Sequence, residues 1–233
     1  MTRPAPESRA FAKSVRGDFE LVISPLFRVE TAASLPQLPG KFGVIFTSAN
    51  GVRAWMTLGG PVSAPCFAVG EATGREARAA GFTPEIAKGN ADDLVAMIAR
   101  TRPGIPLVHA RGHHARGRVA ERLSSAGIET HEAEIYDQHA LPMSGEAQKV
   151  LNSDQPVIAP LFSPRSAALF SKQGKVHAPL AVVAMSEAVA GQIGPIAPRH
   201  VVIANHPCAE SMRSAVERLL DADRWVERCG DAQ

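Results

Sequence analysis

The strongest constraint on the fold is an alternation. Short apolar, β-rich runs recur along the chain, each followed by a polar or glycine-containing turn and then a helix-forming stretch. Leu21-Val22-Ile23 ends at Ser24-Pro25. Residues 42–46 lead through Thr47-Ser48-Ala49-Asn50 into a helical pattern over 51–58. Cys66-Phe67-Ala68-Val69 precedes Gly70 and an alanine-rich stretch over 71–80. Residues 105–109 precede Arg111-Gly112 and a helix-like stretch over 116–126. Runs at 157–162, 180–185 and 201–204 repeat the pattern. Strand, short loop and helix in repetition predict an α/β chain with parallel sheets. The turns carry Thr47, Ser48, Gly70, Gly112, Ser163, Ser186 and Asn205, the residue types that cap helix N-termini. Taken one at a time they are caps. Taken together they predict an anion-friendly edge, because ligands of open α/β sheets sit outside the strands' carboxyl ends, where helix N-termini offer free N–H groups.

The units also repeat internally. Residues 46–55 (FTSANGVRAW) lie over 161–170 (LFSPRSAALF), and 69–74 (VGEATG) over 185–190 (MSEAVA). Asn90-Ala91-Asp92-Asp93-Leu94 is weakly echoed by Cys208-Ala209-Glu210-Ser211-Met212. Thr2-Arg3-Pro4 with Ser24-Pro25-Leu26-Phe27 resembles Ala110-Arg111-Gly112 with Ala133-Glu134-Ile135-Tyr136. Four pairs in the same order point to an ancient duplication.

Composition narrows the function. The net charge is +2, and the 25 basic residues, six of them lysine, are interleaved with acids. No basic run or aromatic-plus-basic surface fits nucleic acid. No apolar stretch reaches the length of a membrane span, and the start lacks a secretory pattern, so a cytoplasmic protein is expected. The three cysteines, Cys66, Cys208 and Cys229, are too few and too scattered for a disulfide framework or a zinc motif. Gly-x-Gly-x-x-Gly, the P-loop and the Gly-x-Ser-x-Gly elbow are absent. His109, His113 and His114 read as a solvated, arginine-flanked loop rather than a metal site. Tyr136 is the only tyrosine in 233 residues.

These motifs resemble those of the uroporphyrinogen-III synthases. The resemblance is carried by Thr2-Arg3-Pro4, Ser24-Pro25-Leu26-Phe27, Phe46-Thr47-Ser48-Ala49-Asn50-Gly51-Val52 and Val69-Gly70 with Thr73. It continues through Arg111-Gly112, Tyr136, Phe162-Ser163-Pro164 and Ser186-Glu187-Ala188-Val189-Ala190. It spans residue 2 to about 220. It implies two flavodoxin-like parallel-sheet lobes joined by a two-stranded linker, a hinge around a cleft. Residues 1–30 with 142–233 would form one domain and 33–136 the other, with linkers at 31–40 and 137–144. A plain tandem duplication would instead divide the chain near 105. The implied reaction cyclises hydroxymethylbilane, a linear tetrapyrrole polycarboxylate, with loss of water and inversion of ring D. No cofactor is expected, because electron-rich pyrroles supply their own push. The expected protein is a monomer that contacts hydroxymethylbilane synthase transiently, and neither nucleic acid nor membrane.

The resemblance also assigns residues. Tyr136, at the end of its strand, matches the tyrosine that helps the substrate hydroxyl leave as a general acid. A phenol with pKa near about 10 keeps its proton at neutral pH. Thr47, Ser48, Ala49, Gly70, Thr73, Gly112, Ser163, Pro164 and Ser186 are expected to bind substrate. Arg3 and Arg111, pseudo-equivalent in the repeat, are expected to hold its carboxylates, since a guanidinium fork matches a carboxylate. Val189 stands where Thr73 has its hydroxyl, so Ser186 or backbone groups would serve in that half. With Met1 directly before Thr2-Arg3-Pro4, either the first strand is short or the true start lies upstream. The competing readings are a non-catalytic two-lobed binding protein for a small anionic ligand, and a degenerate synthase-like regulator.

Overall fold

A computed structural model describes residues 1–115, 117–174 and 176–222. Arg116, read above as part of a helical stretch, and Cys229 lie outside the described residues. The elements in chain order begin α1 (Ala5–Ala12), β1 (Phe27–Thr31), β2 (Gly43–Phe46), α2 (Ala49–Thr57), β3 (Cys66–Ala68), α3 (Glu71–Ala79) and β4 (Pro84–Ile86). They continue with α4 (Ala91–Thr101), β5 (Leu107–Gly112), α5 (Val119–Ser125) and β6 (Thr130–Ala140). The last are α6 (Gly145–Leu151), β7 (Val157–Leu161), α7 (Pro164–Ser171), β8 (Leu180–Ala184), α8 (Glu187–Ala190), β9 (His200–Ile203) and α9 (Ala209–Asp221).

The chain divides into two compact units, Met1–Arg28 with Ala140 onward, and Val29–His139. It passes from one to the other within β1 and returns at the end of β6. These two strands pair: Ala32 N–H donates to the Ile135 carbonyl at 2.9 Å and Leu141 N–H to the Leu26 carbonyl at 2.8 Å. Partner numbers fall on one strand as they rise on the other, the mark of an antiparallel pair.

In the inner unit the strand order is β1-β6-β5-β2-β3-β4. The pairs β6–β5, β5–β2, β2–β3 and β3–β4 are parallel. β2 and β3 are buried at every residue, as expected of parallel strands covered on both faces. One face carries α2 and α3, whose Val52, Ala54, Trp55 and Ala77 pack with Val44, Phe46, Val108 and Ile135. The other carries α4 and α5, whose Leu94, Ile98, Val119 and Leu123 pack with Ile45, Phe67 and Leu107. Leu94 and Ile98, four residues apart, are the two buried positions of α4, with Ala91, Val95, Met97 and Ala99 partly buried against the same cluster. The strand order reverses between β2 and β5: β3 and β4 extend the sheet one way, β5 and β6 the other.

The outer unit holds the parallel sheet β7-β8-β9. β8, Leu-Ala-Val-Val-Ala, is wholly buried. Leu151, Ala167, Phe170 and Val189 of α6–α8 pack on one face. Phe11 of α1 and Met212, Ala215 and Val216 of α9 pack with Val183 on the other. The expected strand at Leu21-Val22-Ile23 does not form; the first strand is β1, further along. Just after that segment, the Met1 and Thr2 carbonyls accept from Ser24 N–H (2.8 Å) and Leu26 N–H (3.2 Å). Among the described residues no helix is long and apolar enough to cross a membrane.

Candidate active site

Doubly wound sheets bind ligands in a crevice outside the carboxyl ends of the strands where the order reverses, here β2 and β5. Three of the residues expected from sequence meet there. Ser48 follows β2 and caps α2, its Oγ accepting from Asn50 N–H at 3.1 Å. Gly112 ends β5, and Tyr136 is its partner in the ladder with β6. The Ser48 hydroxyl and the Gly112 backbone both lie close enough to the Tyr136 phenol to favour its ionised form.

Tyr136 is aimed by an irregularity. Arg111 pairs with Glu134, but Gly112 pairs with Tyr136, so the register slips by one residue on β6. Strict alternation would send Ile135 and Tyr136 to opposite faces. The bulge instead lets both join the cluster under α2. Tyr136 is therefore not at the strand's end; it is the last rung that β6 shares with β5, and β6 runs on to Ala140 beside β1.

The ring lies in a slot made by absent side chains. A Cβ on Gly112 would fall 2.6 Å from Tyr136 Cε2 and 2.7 Å from Cζ. A Cβ on Gly51 would fall 2.9 Å from the Ala110 carbonyl oxygen and 3.8 Å from Tyr136 Cε1. Tyr136 is 9% exposed. Burial pushes its phenol above the ordinary range, while the Ser48 hydroxyl, the Gly112 backbone and the charge of Arg53 pull it partly back. The phenol keeps its proton at neutral pH, so it can act as an acid and not as a base.

The other expected residues of this unit are distributed along the same edge. Thr47 Oγ1 lies 3.0 Å from His109 Nε2. Ala49 opens α2. Gly70 caps α3 without a side chain and approaches Gly89, whose Cα would sit 2.9 Å from any added Cβ. Thr73 lies in the first turn of α3 and is buried. Gly112 is not a helix cap: α5 starts seven residues later, behind Arg118 in left-handed backbone. Asn205 is not one either, since Cys208 precedes α9.

Arg111 is already engaged. Its Nη2 is 2.7 Å from Glu132, its Nη1 is 3.4 Å from Glu134, and Nη1 also donates to the Gly112 carbonyl at 2.9 Å. This is the geometry of a structural ion pair at the sheet edge, and a substrate carboxylate would have to displace two glutamates. His109 departs further from expectation. It is not in a solvated loop with His113 and His114 but inside β5, 1% exposed. His113 and His114 are exposed, and His113 Nδ1 pairs with Glu134 at 2.7 Å. Among the described residues no group of His, Cys, Asp and Glu could hold a metal ion.

In the outer unit the expected residues also sit past strand ends. Ser163 follows β7 and caps α7, its Oγ accepting from Ser166 N–H at 3.1 Å, with Pro164 at the first helical position. Ser186 precedes α8 and makes no side-chain cap bond. The Arg3 guanidinium carbon stands 4.6 Å from the centroid of the Phe162 ring. Gly51, Arg53 and His109 are the site-edge residues that sequence reasoning left out. A glycine in the first turn of a helix was the available signal for Gly51. A histidine within Leu107-Val108-His109-Ala110 was the signal for His109.

Comparison with known proteins agrees with the fold. A family model described as uroporphyrinogen-III synthase HemD matches residues 12–214. The crystal structure of uroporphyrinogen-III synthetase from Helicobacter pylori superimposes with a TM-score of 0.66 at 18% identity, covering 84% of this chain and 92% of that one. A mutant uroporphyrinogen III synthase from the extremely thermophilic bacterium Thermus thermophilus gives a TM-score of 0.51 at 13% identity, covering 92% and 94%. At such identities the likeness is one of fold. No curated protein matches the chain.

Proposed function

Because the chain belongs to the uroporphyrinogen-III synthase family, we propose that it closes hydroxymethylbilane to uroporphyrinogen III with Tyr136 as the general acid. One observation supports the role: the chain's only phenol is buried beside Ser48 and Gly112 at the carboxyl ends of β2 and β5, and burial favours its protonated form. In the first step the Tyr136 O–H passes its proton to the hydroxymethyl oxygen of the substrate. The C–O bond breaks, water leaves, and the positive charge spreads into the electron-rich pyrrole. The substituted carbon of ring D then attacks the new methylene electrophile and becomes a spiro centre. Its older bond to the methylene of ring C breaks, making that methylene the electrophile. The free carbon of the now inverted ring D attacks it, closes the macrocycle and loses its proton, which returns to the phenolate. Direct closure at the free carbon gives the other isomer, so the protein's further task is to hold the polycarboxylate in the reactive fold.

Thr47, Ser48, Ala49, Gly70, Thr73 and Gly112 in one unit, and Arg3, Ser163, Pro164 and Ser186 in the other, are the proposed substrate contacts. Free N–H groups at the starts of α2, α3 and α7 suit carboxylates. Arg111 contributes by organising Glu132 and Glu134 at the edge. The protein is proposed to work as a cytoplasmic monomer, receiving its substrate by transient contact with hydroxymethylbilane synthase, with no role for nucleic acid or membrane. The buried free thiol of Cys66, pushed up to about 12 by burial, is no nucleophile.

The test is isomer analysis. Wild-type protein supplied with hydroxymethylbilane is expected to yield the type III isomer over spontaneous type I. Tyr136→Phe is expected to lose about 10²–10⁴-fold in kcat, the range of a general acid, while the ring still fills its slot and the fold persists. Wild-type turnover in that variant would remove the acid role. Type I alone at excess wild-type protein would remove the synthase reading.

A further inference from the structure

β5 carries a polar side chain within its apolar run. His109 pairs with Ile45 across the ladder to β2 and is 1% exposed. Its Nε2 lies 3.0 Å from Thr47 Oγ1, whereas Nδ1 is buried with no hydrogen-bond partner. Thr47 itself is only half-buried, at the carboxyl end of β2.

Three arrangements of protons fit that distance. A doubly protonated ring would place a charge in an apolar site with one N–H unmet. The Nδ1–H tautomer would bury an unpaired donor and turn the Thr47 proton inward, onto Nε2. The Nε2–H tautomer leaves only a lone pair unmet at Nδ1. An unmet buried N–H is the rarer and costlier defect. We propose that His109 is a positioning residue: as the neutral Nε2–H tautomer it donates to Thr47 Oγ1 and turns the Thr47 hydroxyl proton outward, as a donor to a substrate carboxylate. Burial supports the neutral ring by holding the imidazole down to about 4, with Glu132 pulling it up and Arg111 pushing it further down. His109 acts through Thr47 and touches no substrate.

The carboxylate end of this proposal rests on reading the β2–β5 edge as the substrate site; the tautomer does not. Two measurements separate them. The first is 15N NMR of histidine-labelled protein without substrate, with His109→Gln identifying the signal. The expected result at pH 7 is a protonated-type shift at Nε2 and an unprotonated-type shift at Nδ1, unchanged down to pH 5. An Nδ1–H tautomer, or a doubly protonated ring at pH 5, overturns the proposal. The second is steady-state kinetics of type III formation. Thr47→Val is expected to lower kcat/KM by about 10- to 100-fold, the range for a hydrogen bond to a charged group. His109→Leu should lose a similar factor, the double variant no more than either, and His109→Gln, whose amide can still donate, should recover most of it. Additive losses, or no rescue by glutamine, overturn the coupling. Wild-type protein that makes no type III isomer overturns the synthase reading and the carboxylate end together, leaving the NMR result to decide the His109–Thr47 half.

Discussion

The buried imidazole also makes the stability of the inner unit depend on pH in a defined window. His109 ionises at 6.5 in the unfolded chain and at about 4 in the folded one. Between those values the unfolded chain binds more protons, so stability rises with pH across the window. The contribution is fully present above about 6.5 and is lost as pH falls through about 4. At about 1.4 kcal/mol per pKa unit, the whole effect is on the order of 3 kcal/mol, and about 2 kcal/mol of it disappears between pH 7 and pH 4.5. Other groups titrate over the same range, so the useful quantity is the difference between wild type and His109→Gln, a neutral side chain of similar reach. Urea unfolding followed by indole fluorescence in a Trp225→Phe background makes fully buried Trp55 the reporter, and Trp55 lies in the same unit as His109. The stability difference between the two proteins should shrink by about 2 kcal/mol on going from pH 7 to pH 4.5. A difference that stays constant over that range would mean that His109 is not held neutral by burial, and the tautomer argument would fall with it.

Two further perturbations test proposed substrate contacts, one in each unit. Gly112→Ala places a methyl 2.6 Å from the edge of the Tyr136 ring; kcat should fall at least about tenfold, at a stability cost of about 1–3 kcal/mol, and a variant with wild-type kcat would show that the ring's position is unimportant. Ser163→Ala removes the oxygen that accepts from Ser166 N–H and should cost about 1 kcal/mol in urea unfolding. It should also raise KM, and an unchanged KM would leave Ser163 a helix cap alone.

The legible parts of this molecule are those governed by local rules. Ser48 and Ser163 were recognisable as caps because a serine before a helix has little else to do, and both are caps. Tyr136 stands out because nothing else in the chain offers a phenol, while its proposed role comes from the resemblance. The parallel α/β architecture followed from periodicity, and the repeat reappears as matched strand–cap–helix units at β2–α2 and β7–α7. The illegible parts depend on partners distant in the chain. Gly112 looked like a cap; its smallness serves a ring 24 positions away. Arg111 looked like a free carboxylate clamp, but Glu132 and Glu134 come to it from the neighbouring strand. His109 shared a sequence neighbourhood with two exposed histidines, and only the ladder with β2 reveals that it is enclosed. The bulge that aims Tyr136 exists only in the pairing of β5 with β6 and leaves no mark on either strand alone.

The path of the chain has a consequence for synthesis. The outer unit begins with Met1–Arg28 and cannot be completed until Ala140 and beyond have emerged, because the whole inner unit is threaded between them. The Ser24 Oγ that accepts from Ser144 N–H is one such delayed contact. At ordinary elongation rates of about 5–20 residues per second, the first segment waits on the order of ten seconds on the ribosome with its Phe11 face uncovered. The inner unit, whose residues emerge in one stretch, can fold during that interval. Phe11 then receives Val183 and Met212 from the last part to be made. The nascent chain thus carries a sticky, unfinished leading end past a finished domain, and substitutions that slow translation through the inner unit should lengthen its exposure to chaperones.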